Sequence, residues 1–283
     1  MKFKKVGVIG CGLMGAGITQ VCAQSGYQVL VSEMNDELLK KGLSSIGSRL
    51  AKDVEKGKLS QPDKESALAR IKGTINMKDF ADCDIVIEAA TENLDVKKKI
   101  FVELDKLCPK DTVLATNTSG QSIIDIAIVT RRPDKVLGLH FFNPAPVMKL
   151  VEVIKTIATS DDTLKTGKEF IESLGKTVAV AQDMPGFIVN RLSTPFMLNA
   201  ARMLENGLAT REDIDNAITL GLNHPMGPLR LMDLIGVDKV FIVASTLYEE
   251  LKDPQYAPPT LMRKMVAAGW LGRSTGKGFY EYK

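Results

Sequence analysis

The chain has 283 residues, 45% hydrophobic and 25% charged, a globular composition with enough apolar material for a sizeable core, which argues against disordered, collagen-like and small disulfide-scaffold classes. Thirty-seven Lys and Arg against 34 Asp and Glu leave a formal charge of +3, too small to mark nucleic acid or a membrane surface as the main partner. The four cysteines, Cys11, Cys22, Cys83 and Cys108, form no CxxC pair and no cluster with histidine, which argues against a zinc site and fits a reducing compartment.

The opening Met1-Lys2-Phe3-Lys4-Lys5 is basic and Val6–Ile9 is apolar, but that run is too short for the core of a signal peptide and is broken by glycine. No stretch reaches the roughly 18 apolar residues of a membrane span, so a soluble, cytoplasmic protein is expected. Through about the first 180 residues, short β-branched runs alternate with longer helical patterns, which predicts βαβ units and a mostly parallel sheet. Strands are expected at Lys5–Ile9, Gln28–Val31, Asp84–Glu88, Thr112–Ala115, Lys135–Leu139, Lys149–Ile154 and Thr177–Ala181. Helices are expected at Gly12–Ser25, as a charged pair from Asp36 to Ile71, at Val96–Leu107 and at Thr163–Leu174.

After Met184-Pro185-Gly186 the texture turns helical. Phe187–Asn206, Arg211–Leu220, Pro228–Glu250 and Pro259–Ala268 read as helices, with Asp253–Pro259 as an internal loop and no strand among them. The expected architecture is therefore α/β over residues 1–184 with a helical arm, followed by an all-α domain over residues 185–283.

Gly10-Cys11-Gly12-Leu13-Met14-Gly15 is a GxGxxG directly after a strand and at the head of a helix. In that setting Gly10 makes the tight turn, Gly12 admits a pyrophosphate to the backbone, and Gly15 lets helix and strand pack closely, as in a Rossmann-type dinucleotide site. The ribose-binding acid of such a site follows about 20 residues on. Glu33 stands 18 residues after Gly15, one step beyond Ser32. If Glu33 turns to the ribose, it accepts from both hydroxyls and repels a 2′-phosphate, which favours NAD; if Ser32 does, NADP becomes tolerable.

His140 closes the strand Lys135–Leu139, at the edge where open parallel sheets bind ligands, and so is a candidate base. A histidine satisfied by a backbone carbonyl is the competing reading. Glu152 on the next strand could hold the imidazole in one tautomer and stabilise its protonated form. Asn117 and Ser119, in Thr116-Asn117-Thr118-Ser119-Gly120, stand at the same edge, available to a nicotinamide or a substrate oxygen, or as a helix cap for Gln121–Ala127. Asn190, on the first helix after the boundary, is a further polar candidate.

With these residues in place, the sequence resembles the short-chain L-3-hydroxyacyl-CoA dehydrogenase family. The resemblance spans Gly10–Gly15, Ile87-Glu88-Ala89-Ala90-Thr91-Glu92-Asn93, Ala115–Ser119, His140-Phe141-Phe142-Asn143-Pro144, Pro185–Arg191, His224-Pro225-Met226-Gly227-Pro228 and Gly276-Lys277-Gly278-Phe279-Tyr280. It implies catalysis by His140 with Glu152, substrate orientation by Ser119 and Asn190, and NAD contacts from Leu13, Met14, Glu92, Lys97, Asn117 and Asn143. It also implies a CoA thioester as substrate and a homodimer built on the helical domain. The sequence departs from the family at Ser32, where many relatives carry an acid, and at Gly120-Gln121, where Ser-Leu is common.

Residues 40–72 carry nine basic and four acidic side chains, a local +5, with Lys52 and Lys56 one helical turn apart. Such an arm suits the phosphates of CoA, or is an ordinary solvated face. Two further readings remain at this stage: an enzyme acting on free 3-hydroxy acids, and a non-catalytic dinucleotide-binding protein.

Overall fold

The computed structural model describes residues 3–282; Met1 and Lys2, in the basic opening, and Lys283 lie outside them. The chain divides into two compact units between Met184 and Pro185.

In the first unit eight strands form one sheet: β1 (Lys5–Ile9), β2 (Gln28–Ser32), β3 (Ile71–Thr74), β4 (Ile85–Glu88), β5 (Val113–Thr116), β6 (Val136–Phe141), β7 (Leu150–Lys155) and β8 (Thr177–Gln182). Their order is β3-β2-β1-β4-β5-β6-β7-β8. Neighbours are parallel except β6 and β7, which pair antiparallel. The order reverses direction between β1 and β4, which opens a crevice at their carboxyl ends, the usual ligand position in a doubly wound sheet.

Helices α1 (Leu13–Gln24), α2 (Asp36–Glu55), α3 (Gln61–Ala69), α4 (Leu94–Leu107), α5 (Ile123–Ala127) and α6 (Asp161–Ser173) accompany the strands. Local chemistry sets where several begin: the side chains of Asn35, Ser60, Asn93 and Ser160 each accept the backbone N–H three residues on, each cap contributing about 1 kcal/mol. Val8, Ile18, Ile46, Leu50, Ile87 and Leu139 fill the core, with Phe170 set against Phe3 and Tyr27 at ring separations of 5.9 and 5.6 Å.

The second unit holds α7 (Val189–Glu205), α8 (Arg211–Gly221), α9 (Pro228–Ile235), α10 (Val237–Leu251) and α11 (Thr260–Ala267) around a core of Leu198, Leu229, Met232, Val237 and Met262. Asp215 accepts from Leu229 N and Arg230 N at the head of α9, and Asp233 from Phe279 N and Tyr280 N.

The structure corrects the sequence reading in four places. Ile71–Thr74 is an edge strand, because Ile-Lys-Gly-Thr pairs with Val29–Ser32 although it has no apolar run. The helix expected over Pro228–Glu250 is two, broken at Gly236, whose φ of +110° places it where a side chain is strained. β2 extends through Ser32, and β6 through Phe141, so His140 lies within its strand and not beyond it.

Candidate active site

The glycine loop leaves β1 and enters α1. Gly10 has φ +91°, and a Cβ there would meet Ala89 O and Ala90 Cα at 2.7 Å, while one on Gly15 would strike Gly10 O. A Cβ on Gly12 would meet nothing within 4 Å. Gly12 is also the N-cap of α1, no side chain caps that helix, and its first turn carries no acid. Open space in front of an uncompensated helix N-terminus fits the pyrophosphate of a dinucleotide.

Leu13 is exposed and Met14 half-buried at the head of α1. Glu33 Oε1 accepts from Cys11 N at 2.8 Å and Oε2 from Met34 N at 3.1 Å, which sets the carboxylate beside the loop. Ser32 is buried at the end of β2, opposite Ile9. Burial, helped by the Glu33 carboxylate, pushes the Cys11 thiol up to about 11, so it is an inert wall.

Two acids organise the ends of β4 and β5. Glu88 is fully buried; its Oε2 accepts from Lys97 Nζ at 2.6 Å and Thr116 Oγ1 at 2.8 Å, and its Oε1 accepts from Ala90 N at 2.9 Å. Lys97 is itself fully buried, so its ammonium faces Glu88 and Thr116. Glu92 accepts from Thr118 Oγ1 at 2.7 Å and from Ser119 N at 3.0 Å, and so holds the loop that carries Ser119. Asn117 Oδ1 accepts from Phe141 N at 3.0 Å, tying the end of β5 to the residue after His140.

The antiparallel register of β6 and β7 places His140 opposite Glu152. Nδ1 of His140 lies 2.6 Å from Glu152 Oε2, both side chains being buried. With the carboxylate accepting, Nδ1 carries the proton. Phe142 packs on the imidazole at a ring separation of 4.5 Å. The turn that follows leaves Asn143 exposed.

The sequence reading offered Ser and Thr as the cap of the short helix α5. Its first amides instead donate to Asp183, which follows β8: Ile123 N to Oδ1 at 3.1 Å and Ile124 N to Oδ2 at 2.7 Å. Ser122 occupies the N-cap without a side-chain cap bond. Thr118 Oγ1 accepts from Gln121 N at 3.0 Å.

The structure thus brings together Glu33 with the glycine loop, Glu92 with Ser119, and His140 with Glu152. Lys52 and Lys56 are exposed at the C-terminal end of α2, and Asn190 stands in the first turn of α7 in the second unit. Sequence reasoning missed Glu88, Thr118 and Asp183 as partners; an acid closing the apolar run Ile85-Val86-Ile87 was the one visible signal. Among the described residues no group of His, Cys, Asp and Glu is set to hold a metal, and no helix is long and apolar enough to cross a membrane.

A doubly wound sheet with a glycine loop at its switch point and a strand-borne His–Glu pair defines a Rossmann-type dinucleotide-binding protein. Residues 5–184 match the 3-hydroxyacyl-CoA dehydrogenase, NAD binding domain, and residues 186–282 match the 3-hydroxyacyl-CoA dehydrogenase, C-terminal domain. A 3-hydroxybutyryl-CoA dehydrogenase of Bradyrhizobium diazoefficiens is 46% identical over 280 residues, covering 99% of this chain and 96% of the relative. The mitochondrial hydroxyacyl-coenzyme A dehydrogenase of Sus scrofa is 42% identical, covering 99% and 91%. The crystal structure of (S)-3-hydroxybutyryl-CoA dehydrogenase from Ralstonia eutropha superposes with a TM-score of 0.96 at 46% identity, covering 99% of each chain. The chain belongs to the 3-hydroxyacyl-CoA dehydrogenase family.

Proposed function

We propose that this protein interconverts (S)-3-hydroxybutyryl-CoA and acetoacetyl-CoA with NAD(H), His140 serving as general base and acid. The observation that carries the mechanism is the buried contact of 2.6 Å between His140 Nδ1 and Glu152 Oε2 near the carboxyl edge of the sheet. Bound NAD(H) supplies the hydride acceptor or donor. Because Nδ1 is engaged by Glu152, Nε2 is the nitrogen that takes the proton from the 3-hydroxyl in oxidation and returns it in reduction. Glu152 stabilises the imidazolium formed between those events, and its burial keeps that attraction from being screened. Ser119 orients the substrate oxygen where charge develops, and Asn190 shares that task by the family resemblance.

Gly10, Gly12, Leu13, Met14 and Gly15 hold the cofactor's phosphates, and Glu33 binds its ribose and selects NAD over NADP by charge. Glu92, Asn117 and Asn143 line the nicotinamide end; Lys97, a cofactor contact by the family resemblance, has its ammonium buried against Glu88 and Thr116 and serves the site through that pair. Lys52 and Lys56 meet the CoA phosphates. The protein works in the cytoplasm as a homodimer built on its second unit.

The test is the absorbance at 340 nm of purified protein with acetoacetyl-CoA, run in parallel with NADH and NADPH. Rapid loss with NADH, together with a His140→Ala protein that binds NADH but does not turn over, is expected. A clear NADPH preference would move the ribose reading to Ser32, and loss with neither cofactor would overturn the proposal.

A further inference from the structure

The loop that carries Ser119 is half-buried, and Thr118 Oγ1 accepts within it from Gly120 N at 3.4 Å and Gln121 N at 3.0 Å. A Cβ added to Gly120 would meet nothing within 4 Å, so no wall sets its course at that point. Two further ties hold its ends. At the first, Glu92 accepts from Thr118 Oγ1 and Ser119 N. At the second, the chain enters α5, whose N-cap Ser122 makes no side-chain cap bond. The amides of Ile123 and Ile124 are taken up instead by the two carboxylate oxygens of Asp183, some sixty residues further along the chain. A carboxylate accepting two backbone N–H groups with separate oxygens fixes both the place and the direction of a helix start.

We propose that Asp183 is a positioning residue for the reaction: by capping α5 from the end of β8 it fixes the Ser119–Ser122 loop, and with it the Ser119 hydroxyl. This rests on the role given to Ser119 above. Gly120 lets the loop respond to the loss of the Asp183 anchor, because glycine restricts its own backbone least. Asp183 touches no substrate in this scheme. Its effect travels through four residues of backbone.

The experiment is a double-mutant cycle on Ser119→Ala and Asp183→Asn with acetoacetyl-CoA and NADH, scored as kcat, KM and the NADH dissociation constant from fluorescence. Asp183→Asn is expected to lower kcat about tenfold while leaving NADH binding unchanged. It should cost nothing further in the Ser119→Ala background, since two changes that act through one group do not add. A local cap supplied by Ser122→Asp in the Asp183→Asn protein is expected to recover most of the lost kcat, which a general folding role of Asp183 would not allow.

Additive losses, or no recovery by Ser122→Asp, overturn the inference about Asp183. A Ser119→Ala protein with full kcat overturns instead the role of Ser119 on which it rests.

Discussion

Glu152 is wholly buried and its Oε2 reaches the imidazole of His140 at 2.6 Å, so Glu152→Gln keeps the shape of the pair while removing the charge that, in the proposed mechanism, stabilises the imidazolium. The substitution is expected to lower kcat about 100-fold and to leave the NADH dissociation constant unchanged, because the glycine loop and Glu33 are elsewhere. Steady-state rates beside a fluorescence titration check both; a kcat within threefold of the parent would show that His140 works without its carboxylate. The same scale holds the cysteines. All four are buried and unpaired, and burial pushes Cys11 and Cys108 up to about 11 and Cys22 and Cys83 up to about 12. A thiol reagent at pH 8 should therefore titrate less than one equivalent in the native protein and four in urea, and rapid native labelling would contradict their burial. His140 and Glu152 were both visible in the sequence as a candidate pair, but a separation of twelve residues alone did not prove that they meet, and the register of β6 and β7 supplies the contact.

That register is a property of elements. A β7 running parallel to β6 and level with it would set its third residue, Glu152, beside Gly138; antiparallel pairing brings it to His140. The signal lay in the chain, since the segment between β6 and β7 covers only residues 142–149, too short for a parallel crossover of a dozen residues or more. The parallel core was legible because its strands are continuous apolar runs between capped helices. The edge strand Ile71–Thr74 was not, because half of it is polar and its pairing comes from β2. The break at Gly236 is likewise a matter of backbone geometry, with apolar periodicity continuing on both sides.

One tertiary tie at this scale is testable by pH. Asp105, in the last turn of α4, accepts from Arg131 Nε and Arg132 Nε, each at 2.8 Å. Burial alone would raise its carboxyl, but the bonds from Arg131 and Arg132 outweigh burial and hold it below the usual carboxylate range. A folded pKa below the unfolded one means stability that is fully present above about pH 4 and is lost as pH falls through the folded value. Asp105→Asn should thus cost about 2 kcal/mol at neutral pH, and its gap in urea midpoint to the parent should be constant from pH 5 to 8 and close below pH 4. A gap that is the same at pH 3 would show that the pairing carries no charge-dependent stability.

At the scale of the whole molecule the charge is nearly balanced, and the imbalance that exists is local. Residues 40–72 carry +5 in a chain of +3, and α2 ends with Lys52 and Lys56 both exposed. Exposed lysines that pack against nothing are retained by solvation or by a partner, and the two cases differ in what salt and substrate length do. If the arm meets the phosphates of CoA, reversing both charges with Lys52→Glu and Lys56→Glu changes the interaction at the remote end of the substrate and leaves the reacting carbon alone. KM for acetoacetyl-CoA should then rise about five- to tenfold at low salt with kcat unchanged, while KM for the ester truncated at pantetheine, which lacks those phosphates, should stay where it was. Raising the salt to about 0.5 M shortens the screening distance to about 4 Å, so the difference between parent and variant should shrink toward nothing. Equal rises for both esters, or a rise indifferent to salt, would make the arm a solvated face and return CoA recognition to other residues.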